Sequence, residues 1–242
     1  MSERPTNAET VKTVLRVVVY SVVAILVAIG VAAAIARALY LANIGLDYDQ
    51  IIRLMPRTDA PYVAEFNRWF TAHRALTFLH VVPGAAILVL APFQFSSRLR
   101  TRHIRFHRWS GRLVLLAALL AGLSGLFFGA VFPNGSIAAS SAVFCFGALF
   151  LISIVRAFAA IRRGNTASHR EWMIRMFSIG IGISTIRVVG AALALIIPAS
   201  SPESRIALSF WIGFMLSAAA GELWIRNTRA GRVAHETPAE TT

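Results

Sequence analysis

The chain has 242 residues, of which 57% are hydrophobic and only 14% charged, with a formal net charge of +13 carried by Lys12 and otherwise by arginines. So apolar a chain reads as a membrane protein, and its positive balance as the by-product of cytoplasmic loops facing anionic lipid. That excludes a soluble nucleic-acid-binding domain, and the single cysteine, Cys145, excludes a disulfide framework or a CxxC site.

Residues 1–13 form a polar tail, placed in the cytoplasm. A first helix is expected from about Val14 to Leu41. Its apolar run exceeds the ~7–15 residues of a signal-peptide core, so it reads as an uncleaved anchor. Residues 45–65 form the longest polar connection, with Asp47, Asp49, Asp59 and Glu65 against Arg53 and Arg57, and so belong outside. The two neighbouring aspartates lack the remaining positions of a calcium loop and read as solvated carboxylates. A second helix is expected over Phe66 to Phe95, with Pro83 and Pro92 as tolerated kinks.

RTRHIRFHRWSGR, residues 100–112, places five arginines and two histidines between apolar flanks. Each flank is near the roughly 20 residues that cross about 30 Å of hydrocarbon, so the stretch reads as a short cytoplasmic loop. A third helix follows, about Gly111 to Phe132, then the tight outer turn PNGS and a fourth helix, about Ile137 to Ile161. RRGN closes it, with cations in the last turn followed by Gly. SHRE, residues 168–171, reads as a capping box that starts a fifth helix, about His169 to Ile197. PASSPES is the last outer turn, and a sixth helix runs from about Arg205 to Arg226. Residues 227–242 are expected to be a disordered cytoplasmic tail. The fold class is therefore all-α: an integral membrane six-helix bundle over residues 14–226, both termini cytoplasmic. No Walker, GxGxxG or GxSxG motif occurs.

Ionisable groups inside a bilayer are costly and mark candidate sites. His80 lies mid-helix, seven residues after His73, in a stripe with Trp69, Thr77 and Gly84. Arg187 lies at similar depth in the fifth helix, too deep to snorkel easily, with His169, Met173, Met176 and Gly180 on its face. Both are expected to point into the bundle. Glu222 is expected to pair with Arg156. His107 and His169 are expected to meet at the cytoplasmic end, among Arg105, Arg108, Arg112, Arg170 and Arg175. Gly111, Ala118, Gly122, Gly125 and Gly129 form a small-residue face on the third helix, suited to a neighbouring helix or a flat cofactor.

With His80, Gln94, HRWSGR, HREWMIR, Arg187 and Glu222 in that order, residues 66–226 resemble a bacterial family of membrane proteins known as domain of unknown function 2306. The resemblance implies a multi-helix fold in the bacterial cytoplasmic (inner) membrane and no established activity. HRWSGRLVLLAALLAGLSG also resembles, more faintly, the entry to a haem-binding helix in ascorbate-reducible b-type cytochromes. His73 and His80 have no histidine partner in the outer half of the third to sixth helices, so a two-haem arrangement with four matched ligands does not follow.

Three functions remain open. One is a redox protein holding b-type haem or quinone between helices, with His80, His107, His169 and Arg187 as the cofactor-binding candidates. Another is a transporter using His80 and Arg187 to line a path. The third is a non-catalytic membrane component. The expected surroundings are a bilayer with anionic headgroups and no nucleic acid.

Overall fold

The computed structural model describes residues 7–44, 60–131 and 136–236, with the side chains of 7–9, 12, 60–61 and 230–236 excepted. The aspartates at 47, 49 and 59, most of the PNGS turn and both chain ends lie outside the described residues. The described residues form eight helices and no strand: α1 Asn7–Leu41, α2 Ala60–Ala72, α3 Arg74–Gln94, α4 Ser97–Arg102, α5 Ile104–Val131, α6 Ile137–Arg162, α7 Thr166–Ile196 and α8 Pro202–Glu236. All but α2 and α4 are long and apolar enough to cross a membrane. The chain is thus an all-α membrane protein, with six spans among the described residues.

α3, α5, α6 and α7 pack in a closed ring. α1 lies against α3 and α7, and α8 against α6 and α7. Small side chains let the ring close: Ala91, Ala118 and Ala157 are fully buried, together with Val114 and Met176. In lipid, where burying apolar surface gains little, such close packing is what holds helices together.

Local chemistry sets the helix ends. Gly164, at φ 74°, follows α6. Asn165 N donates to Ala160 O at 3.0 Å and Gly164 N to Ile161 O at 3.1 Å. This pair of reversed bonds is a Schellman stop, and the left-handed conformation is the reason for glycine there. α7 then begins at Thr166, three residues before the expected helix start at His169. Asn165, not Ser168, is the cap, accepting from Ser168 N at 2.9 Å. Glu171 is instead drawn across to Arg229 on α8.

The expected second helix is two helices. The chain breaks at His73, φ −111° and ψ 47°. Nearby side chains satisfy the carbonyls at the break: His73 Nδ1 lies 3.0 Å from Trp69 O, and Thr77 Oγ1 donates to Phe70 O at 3.0 Å. α2, at 13 residues, is too short to cross the bilayer. Pro83 and Pro92 stay inside α3. The basic stretch is not a loop either. Ser96 caps α4 through Leu99 N, and α5 already begins at Ile104. At about 1.5 Å per residue its 28 residues exceed the hydrocarbon core, so its first two turns project from it. The last helix continues to Glu236, ten residues beyond the expected end of the sixth span.

Candidate functional site

A cavity of about 380 Å³ lies in the half of the bundle away from the arginine-rich end. All six spans contribute to its wall, and Phe66 and Phe70 of α2 cover it. Glycines make the room. A Cβ on Gly84 would meet nothing within 4 Å, whereas Gly122 and Gly180 let Phe150 lie close against α5 and α7. The ionisable residues in the lining are Arg37, His80 and Arg187, all three basic.

His80 is fixed by α5. Its Nδ1 lies 3.0 Å from Ala121 O and 3.1 Å from Ser124 Oγ. The Ser124 hydroxyl already donates to the backbone of Leu120 at 2.6 Å. A carbonyl only accepts, so Nδ1 carries the hydrogen and Nε2 keeps its lone pair. Gly125 admits the ring: a Cβ there would stand 3.2 Å from His80 Cε1. Phe128 closes one side, perpendicular at 5.4 Å. No described residue hydrogen-bonds Nε2, and the residue lines the cavity.

Arg187 lines the same cavity, with Nη1 donating to Ile183 O at 2.7 Å, and its charge is felt at the His80 ring. It is also exposed, so it stands where the cavity opens. His80 and Arg187 therefore line one cavity, but the exposed Arg187 does not point wholly into the bundle as expected. Thr77 and Gly84 join them, but His73 does not: the break turns it outward, stacked on Trp69 at 4.3 Å.

Arg37 is the member that sequence reading missed. Near the end of a span it passes for a cation reaching the interface. Here it bonds Asn67 Oδ1, whose Nδ2 donates to Tyr40 Oη at 2.8 Å, and it lies 5.4 Å over the Phe70 ring. Asn67 is buried, at 4% exposure, and this knot ties α2 to α1. A readable signal was the buried-type asparagine in an otherwise amphipathic segment, EFNRWF.

His107 and His169 lie within electrostatic reach of each other at the arginine-rich end, but neither lines the cavity. His169 Nδ1 donates to Ala157 O at 2.9 Å, a helix-to-helix tie. Glu222 is held by both Nε and Nη2 of Arg175, not by Arg156, which lies instead over the Trp172 ring at 5.8 Å. The small-residue face of α5 serves two purposes: Gly129 seats Val143 and Gly111 seats Gln94, while Gly122 and Gly125 border the cavity.

The sequence profile of a family described as Predicted membrane protein (DUF2306) matches residues 77–225. The chain belongs to this family. The match runs from Thr77 to Ile225, so the family segment carries His80 and Arg187, while α1 with Arg37 lies outside it. No curated protein and no solved structure matches. Membership defines a multi-pass membrane protein and leaves its chemistry to be argued from the cavity.

Proposed function

We propose that this protein is a redox-type membrane protein that binds a quinone-class molecule in the cavity between His80 and Arg187. The observation that carries this reading is the fixed orientation of His80. Its Nδ1–H is spent on Ala121 O, so Nε2 offers an acceptor to the cavity. A quinol hydroxyl donates to that lone pair, and the Arg187 guanidinium donates to a second ligand oxygen. Apart from Arg37 and Thr77 the remaining wall is apolar and suits a ring and the start of an isoprenoid chain, and the volume falls within the range of small-molecule sites, about 300–1,000 Å³.

A b-type haem is the second reading. An imidazole whose Nδ1–H is held by a carbonyl is set to ligate a metal through Nε2. The cavity offers His80 as its one histidine among the described residues, which supports a single axial ligand and not a pair.

The test is binding of a fully ring-substituted decyl benzoquinol, reduced beforehand and kept free of oxygen, to the purified protein in nanodiscs. His80→Ala and Arg187→Leu should each weaken it about tenfold or more, the loss of one hydrogen bond to a charged or fixed partner, while Arg98→Leu leaves it unchanged. Unchanged binding in both cavity variants would sink the reading. A reduced-minus-oxidised α-band that His80→Ala abolishes would move the ligand class to haem. The arginine-rich end is proposed to face the cytoplasm of a bacterial cell, against anionic headgroups of the inner membrane. Reporter fusions at positions 105 and 165 should then report an internal location.

A further inference from the structure

We infer that the cavity exchanges its ligand sideways with the bilayer, through the seam between α1 and α7, with α1 as the moving wall. This rests on the reading of the cavity as the site of a lipid-soluble ligand. Three features of the structure lead to it.

The first is where the cavity is covered. Phe66 and Phe70 of α2 close it at the end away from the arginines, and the Arg37–Asn67–Tyr40 knot fastens α2 to α1. Toward the bilayer the cover is thin. Arg187 lines the cavity and is exposed, and the next residue, Val188, is 47% exposed. A hydrophobic ligand partitions into the lipid, so its short path is this side opening.

The second is how lightly α1 is held. Only 6% of its apolar stretch is buried, against 44% in α5. It touches α7 closely at Gly30, where a Cβ would lie 2.5 Å from Ser184 Oγ and from Leu88 Cδ1. Both obstructing atoms are ends of side chains that can turn away, so the contact is not an interlock of backbones.

The third is a cost built into the closed seam. Ser184 is fully buried, and its hydroxyl has no hydrogen-bond partner among the described residues. Ser124 and Ser153, by contrast, donate to the carbonyl four residues back, at 2.6 and 2.7 Å. Pressed against Gly30, the Ser184 hydroxyl does not make that bond. When α1 moves off, it is free to rotate onto its own helix backbone. An unsatisfied buried hydroxyl penalises the closed form alone, which makes opening easier. α1 also lies outside the residues matched to the family, which carry His80 and Arg187.

A disulfide tests the idea directly. A Cβ built on Gly30 stands 3.8 Å from Ser184 Cβ, inside the range of about 3.5–4.5 Å for a disulfide. Gly30→Cys/Ser184→Cys in a Cys145→Ser background, oxidised in nanodiscs and freed of oxidant, should take up the decyl benzoquinol at least tenfold more slowly than the same protein reduced and freed of reductant. Ligand loaded before the disulfide is closed should be retained. Equal uptake in the two states would overturn the door and leave the site standing, and no binding in the reduced protein would remove both. Ser184→Ala covers the case in which the cysteine pair does not assemble. Removing the unsatisfied hydroxyl should slow both uptake and release roughly tenfold with the equilibrium affinity unchanged. Unaltered exchange in that variant also overturns the inference.

Discussion

α7 meets two neighbours through glycine, and the two contacts differ in kind. On the α8 side, a Cβ on Gly213 would stand 2.8 Å from both N and Cα of Ile186, and a Cβ on Gly182 would stand 2.7 Å from Phe214 Cδ1. At Gly213 backbone meets backbone and neither can step aside, and at Gly182 a ring lies on the backbone. Polar ties run the length of the seam: Thr185 with Ser217 at 2.8 Å, Arg175 with Glu222, and Arg170 with Thr228 at 3.1 Å. On the α1 side, Gly30 meets a leucine methyl and a serine hydroxyl that has found no partner. One helix thus carries a fixed wall on one side and a releasable wall on the other, and the cavity with Arg187 lies between them.

The sharpest way to break this comparison is to add one methyl to each seam. Gly213→Ala pushes a Cβ into backbone, and overpacking of that kind costs about 3 kcal/mol. The expected outcome is a large fall in the yield of monodisperse protein and in Tm. Gly30→Ala pushes into atoms that can rotate, and should cost less than about 1 kcal/mol with normal yield. Size-exclusion profiles and thermal unfolding of the two variants, side by side, check the ranking. A milder effect at Gly213 than at Gly30 would erase the distinction between the walls.

A smaller effect separates the ion pair of the fixed seam from its rival. Arg175 and Glu222 are partly exposed, at 24% and 42%, so the pair contributes about 1 kcal/mol and not more. Glu222→Gln should lower Tm by about 2–4 °C, and Arg156→Leu should leave the pairing intact. If the Glu222→Gln loss vanishes in an Arg156→Leu background but persists with Arg175→Leu, the partner is Arg156 after all.

The pairing shows what the sequence could and could not convey. Six spans and one arginine-rich end follow from apolar length and charge placement, because those depend on the bilayer and not on neighbours. Glu222 is a different matter: α8 packs against both α6 and α7, which carry Arg156 and Arg175 respectively. Only the rotation of each helix decides, and nothing local encodes that. The basic stretch was misjudged for a related reason. Its arginines mark the membrane edge, but Ser96 as a cap lets the helix run through them. His80 and Arg187 were legible because charge inside a span is conspicuous. The cavity itself was not, since it is made by what is missing at Gly84 and by Gly125 admitting a ring. Arg37 was hidden by its ordinary position near a helix end.

The smallest expected effect concerns how the cover is anchored to the fixed side. Tyr62 of α2 has its phenol pushed up to about 12, chiefly by burial and then by the charge of Glu203 at the start of α8. α2 is therefore tied to α1 by Arg37 and Asn67, and lies close to α8 at Tyr62. The sign follows from the raised value. Below pH 10 the phenol is neutral in the folded and unfolded chain, and the seating of α2 is fully favourable. Between pH 10 and about 12 the unfolded chain loses the proton first, so stability falls as pH rises through that window. Tyr62 is only half-buried, so the loss amounts to no more than about 1 kcal/mol after solvent screening. Tyr62→Phe removes the titration, and its Tm should change less between pH 9.5 and 11.5 than that of the unsubstituted chain. The slope is the useful readout, because the absolute Tm also registers the other contacts of the hydroxyl. Parallel slopes would mean that Tyr62 is solvated and that α2 has no seat beside Glu203, which leaves the cover held by α1 and free to travel with it when the seam opens.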